Sequence, residues 1–136
     1  MTRSGDAVMR LPANLALACL ACLSGCASGV ATIEDRGKQY QFSAPLASRA
    51  LANCTAENAR GFGGPYTTSV QELIRPDNYR IVVSYVDTTH PVYPIRPVLV
   101  ARTAPAYPAQ GSQLVLFVSQ DQAVPDDWIA RLRKGC

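Results

Sequence analysis

Histidine is almost absent from this chain of 136 residues; His90 is the only one. With a single histidine, no cysteine cluster and no Gly-x-Ser-x-Gly, the sequence shows neither a complete zinc shell nor the nucleophile elbow of a serine hydrolase. Long basic runs are also missing. The formal net charge is +3, which gives no electrostatic footprint for nucleic acid. Gly61-Phe62-Gly63-Gly64 lacks the Lys-Ser/Thr of a phosphate loop and follows a helical pattern instead of opening one, so it reads as a turn. There is no whole-domain repeat. The one extended apolar run, Leu11 to Leu23, is broken by Pro12 and Asn14. It falls short of the ~20 residues a spanning helix needs.

That run lies between a basic flank, Arg3 and Arg10, and the small residues Ser24-Gly25. Basic flank, apolar stretch and small residues follow each other in secretory order. The alternative is a buried N-terminal helix of the domain. Leu23-Ser24-Gly25-Cys26 resembles the lipobox of bacterial lipoproteins. The resemblance implies that residues 1–25 are a signal peptide, that cleavage falls just before Cys26, and that Cys26 carries diacylglycerol and further acyl chains such as palmitate. One chain anchors only marginally, whereas two or three hold a protein on the membrane almost permanently. Ala27 and Ser28 follow the cysteine, with no Asp directly after it. In a Gram-negative cell this implies the periplasmic face of the outer membrane. The expected organisation is residues 1–25 as signal, 26–38 as a lipidated tether and 39–136 as a single small domain.

This organisation divides the five cysteines. Cys19 and Cys22 form a Cys-x-x-Cys, but inside the signal and outside any thioredoxin-like context. Cys26 takes the lipid. Cys54 and Cys136 remain, and an even pair in an oxidising compartment reads as one disulfide. It would close a loop of roughly 80 residues and contribute roughly 4–5 kcal/mol by chain entropy.

Along the domain, Gln39 to Phe42 reads as a short strand. Ser43-Ala44-Pro45 resembles a helix start, with a capping hydroxyl and a first-turn proline. Ala47, Ala50, Leu51 and Cys54 then recur on one helical face up to Gly61. Tyr66 to Ile74 and Tyr79 to Val86 read as a hairpin around Arg75-Pro76-Asp77-Asn78. Val98 to Thr103 and Gln113 to Ser119 are two further strands. The second is continuously apolar and is expected at the centre of the sheet. A last helix follows Pro125, with Asp126 and Asp127 at its start and Arg131, Arg133 and Lys134 at its end, as the macrodipole favours. The expected fold is α+β: an antiparallel sheet of about four strands, with two helices on one face. A disulfide would join those helices where their C-termini meet.

The segment Ala50-Leu51-Ala52-Asn53-Cys54-Thr55-Ala56-Glu57-Asn58-Ala59, with Gly135-Cys136, resembles a group of small uncharacterised proteobacterial lipoproteins. These pair a helical cysteine, followed by Asn-Ala, with a final Gly-Cys. The resemblance implies no activity and no binding residues.

Asp87 and His90 are the candidates for two metal ligands, or for part of a catalytic pair with Ser84 or a threonine, and a polar loop is the plainer reading. No metal or other cofactor is expected. Pro91-Val92-Tyr93-Pro94-Ile95-Arg96-Pro97 places proline every third residue, and Pro105-Ala106-Tyr107-Pro108 repeats Pro-x-Tyr-Pro. Such spacing suits polyproline II. Tyr93, Arg96 and Tyr107 would then face a partner, since Tyr and Arg are enriched in interface hot spots. Otherwise the prolines stiffen connectors between strands. The function expected from the whole is a non-catalytic, membrane-anchored interaction or envelope-maintenance module. Its rivals are an inhibitor or immunity-type lipoprotein against a cell-wall-degrading enzyme, and a hydrolase using His90.

Overall fold

A short polar strand and a long helix decide how this chain closes on itself. The structure, a computed structural model, describes residues 28–136 apart from Tyr93 and Ala123. The elements are α1 (Ser28–Arg36), β1 (Lys38–Ala44), α2 (Ser48–Arg60), β2 (Tyr66–Glu72), β3 (Tyr79–Val86), β4 (Ile95–Pro105), β5 (Ser112–Val118) and α3 (Trp128–Arg133). The five strands form one sheet in the order β1-β5-β4-β3-β2, with every neighbouring pair antiparallel. The class is α+β, as expected. The strand count is five, because the segment read as a short strand at Gln39–Phe42 runs over the whole of β1 and pairs with β5 from Lys38↔Val118 to Ala44↔Ser112. Since β1 and β2 lie at opposite edges, α2 carries the chain across the sheet.

Strand alternation sorts the two faces. Ile81, Val83, Leu99, Ala101, Leu114 and Leu116 are buried on one side together with Leu51, Ala52, Ala56 and Ala59 of α2. On that face the Ser48 hydroxyl donates to Thr103 Oγ1 at 3.1 Å, and Trp128 of α3 meets Tyr66 edge-on. Arg102, next to Thr103, points to the other side. There Glu34 of α1 accepts from both Arg102 and Arg80. The sheet is therefore covered on both faces where β4 and β5 lie. This explains the unbroken apolar run of β5. The middle strand is β4, with β5 beside it.

Several boundaries differ from the expectations. Helix α2 begins at Ser48, with Ala47 as its N-cap and no side-chain cap. Ser43 belongs to β1, so pairing with β5 overrides the local capping pattern around Pro45. The stretch expected as a tether is helical from Ser28, and its Ile33 is buried. β4 is longer than its apolar core and takes in Pro97. The register shift between Val83 and Ser84 sits opposite that proline, where a strand can lack an N–H donor. The turn at 75–78 is as read: Asn78 N donates to Arg75 O, and Asp77 adopts φ 59°.

Candidate functional site

Cys54 and Cys136 are joined in a disulfide, with Cα atoms 5.8 Å apart. Its surroundings differ from two helix ends meeting. Cys54 lies in the middle of α2, and Cys136 lies beyond α3, which Lys134 leaves at ψ 117°. The Asn58 amide donates to Leu132 O at 3.1 Å and to Lys134 O at 2.9 Å. These are carbonyls that a helix C-terminus leaves without internal partners. Gly135 turns the chain at φ 73°, a conformation only glycine adopts readily. Ala59, the next residue, is buried in the core. The cysteines, Asn58 and Gly135 thus form one structural junction: a covalent link, a polar cap and a left-handed turn.

An aromatic ladder continues from it. Phe62 stacks on Trp128 at 3.9 Å between centroids, Trp128 meets Tyr66 edge-on at 4.7 Å, and Tyr66 meets Tyr85 at 5.6 Å. Guanidinium groups close both ends, Arg131 over Phe62 and Arg96 over Tyr85. Trp128 is buried, so the ladder is chiefly packing, and its outer rungs carry the charge. On the other side of the junction a shallow cleft of about 100 Å³ is lined by Phe42, Pro45, Leu51, Leu114, Arg133 and Cys136. The Arg133 guanidinium lies 3.7 Å from the Phe42 ring centroid.

The Asp87–Pro94 loop is held by its own polar groups. Asp87 Oδ1 accepts from the Thr89 amide at 3.0 Å and the Thr89 hydroxyl at 2.6 Å, while Oδ2 accepts from Arg96 at 3.2 Å. Bonds from Thr89, with a smaller contribution from the Arg96 charge, hold the Asp87 carboxyl below its usual range. Both carboxylate oxygens are thereby engaged in shaping the loop. His90 Nδ1 accepts from Val92 N at 3.4 Å. Among the described residues, no group of three or more His, Cys, Asp and Glu side chains could hold a metal.

The proline segments do not share a ridge. Ile95, Arg96 and Pro97 are in β4, and Pro105 ends the same strand. Tyr107 lies in the following turn, fully exposed, and its bond to Pro108 is cis. Nine residue steps along β4 carry the chain from Arg96 to Pro105, about 30 Å at the usual rise. Arg96 and Tyr107 therefore face opposite ends of the sheet. Tyr93 and Cys26 lie outside the described residues.

The sequence reading missed Glu34. One carboxylate sits between two bidentate guanidinium groups, with Nε–Oε1 distances of 3.0 Å to Arg80 and 2.8 Å to Arg102. Arg80 and Arg102 are direct cross-strand neighbours. Like charges in that position repel, and Glu34 is the counter-charge that lets them coexist. No local pattern announces a trio so widely spaced in the chain.

Comparison with protein-family models finds no matching family, and no curated protein or solved structure matches the chain.

Proposed function

We propose that the chain is a lipoprotein, anchored through Cys26 on the periplasmic face of the outer membrane of a Gram-negative cell. It works there as a non-catalytic interaction or envelope-maintenance module. The observation that carries this reading is the use of the cysteines. Leu23-Ser24-Gly25-Cys26 assigns one to lipid, and Cys54 pairs with Cys136. A small disulfide-linked domain suits an oxidising compartment. The non-catalytic part is supported by how the distinctive residues are used. Asn58 and Gly135 build the junction, and the Asp87 carboxylate is committed to Thr89 and Arg96. No helix of the described residues is long and apolar enough to cross a membrane, and in this reading a lipid supplies the attachment.

Expression in a Gram-negative host with labelled palmitate tests the anchor. The wild type should incorporate label and fractionate with outer membrane, and C26S should lose both the label and the outer-membrane fractionation. Unlabelled wild-type protein, or C26S that keeps the label or still fractionates with outer membrane, overturns the proposal. In-vivo crosslinking of the lipidated protein then tests the interaction role, which requires recovery of a specific envelope partner.

A further inference from the structure

We propose that the β3–β4 loop is a second membrane contact, with Val92 and Ile95 resting on the lipid surface to which Cys26 attaches the domain. The inference rests on the lipid anchor proposed above and adds how the domain sits on it.

Helix α1 makes the attachment short. Glu34 fixes it to Arg80 and Arg102. Its first turn lies against the start of β4, where a methyl group placed on Gly29 would come within 3.2 Å of the Pro97 ring. Two peptide units separate Cys26 from Ser28, and they span at most about 7 Å. With the Ser28–Gly29 step and the contact to the Pro97 ring added, a lipid on Cys26 keeps the Pro97 end of the sheet within roughly 15 Å of the bilayer boundary, about half the length of β4.

That end is the one that presents the loop. Ile95 pairs with Val86, and Asp87 N donates to Pro94 O at the loop's neck. Val92 is 66% exposed and Ile95 60% exposed. Apolar side chains this exposed gain from leaving water, and a bilayer boundary is the apolar surface the anchor brings to them. The acidic group at the neck does not oppose the approach, because Asp87 is paired with Arg96 and bonded to Thr89. The opposite end supplies an internal control. Ile74 is fully exposed in the β2–β3 turn, at the end where Tyr79 pairs with Thr103.

The test uses the full lipidated protein, with isotope-labelled isoleucine δ1 methyls, in nanodiscs of phosphatidylethanolamine and phosphatidylglycerol. A fraction of the lipids carries a nitroxide on the headgroup. Intact mass is read first. Paramagnetic relaxation falls with the inverse sixth power of distance, and the two ends are about 30 Å apart, so enhancement at Ile95 should exceed that at Ile74 by roughly tenfold or more. A mature chain without the diacylglycerol mass overturns the anchor and this contact together. A lipidated chain in which Ile95 is enhanced no more than Ile74 overturns the contact alone.

Discussion

Replacing both Cys54 and Cys136 by alanine should cost this domain about 4.5 kcal/mol, almost all of it from the unfolded chain. The bridged residues are 82 positions apart. Chain-entropy bookkeeping for a loop of that length gives about −15 cal/mol/K, or about 4.5 kcal/mol at 25 °C. The native-state loss is small by comparison. Both cysteines are only half-buried, so truncation leaves little cavity, and the bonds from Asn58 to Leu132 O and Lys134 O remain. A domain of this size has about 5–15 kcal/mol in total, so the variant should be marginal yet folded in dilute buffer. Urea melts followed by Trp128 fluorescence measure the effect, with C26S in both proteins so that no third mature thiol interferes. The midpoint should fall sharply. The m-value should rise, because an unlinked denatured chain exposes more surface. A loss below about 1 kcal/mol with an unchanged m-value would refute the reasoning. It would mean that the denatured chain already holds the ends of this loop together.

Glu34→Gln should cost about 2 kcal/mol, between the values for exposed and for buried pairs, because it leaves Arg80 and Arg102 facing each other; thermal melts of the variant check this, and an unchanged midpoint contradicts the counter-charge role. Asp87 has a folded pKa below its unfolded value, so its contribution is present above the ordinary carboxylate range and is lost as pH falls through the folded pKa. The Thr89 amide shift should therefore titrate below about pH 3.9 in the wild type and show no such transition in D87N. Gly135→Ala should cost about 1–2 kcal/mol for its left-handed backbone alone, at φ 73°. Gly111→Ala should cost more, because at φ 87° its new methyl would also overlap the Ala44 carbonyl oxygen; urea midpoints in the reverse order would contradict this account.

The elements that could be read from the sequence are those whose partners lie close in the chain or whose pattern is strong. β3 alternates cleanly and pairs through a four-residue turn. Cys54 and Cys136 are the pair that remains when the signal and its lipobox take the other three cysteines. α1 was not legible. Its one buried apolar side chain is Ile33, and its attachment is a charge trio drawn from three distant segments. The start of α2 differs from the sequence expectation because Ser43 and Pro45 form a convincing local cap. The backbone of Ser43 is instead taken by its pairing with Gln113, 70 residues away. The proline segments look alike in sequence, but β4 separates them, so a shared ridge was a local pattern that the topology divided.

The pairing of β1 with β5 has a further consequence for how the molecule comes into being. The strand formed earliest in the chain has no partner until the latest strand arrives, since Lys38 waits for Val118. Local hairpins from β2 to β5 can assemble first, but they leave one edge open and α2 without a complete surface beneath it. Closing such distant contacts makes folding slow relative to a meander. A chain exported during its synthesis could form the hairpins of β2 to β5 as they emerge, but it could not close the sheet along β1 until β5 had crossed. Completion of the sheet would then bring Cys54 and Cys136 together for oxidation on the far side.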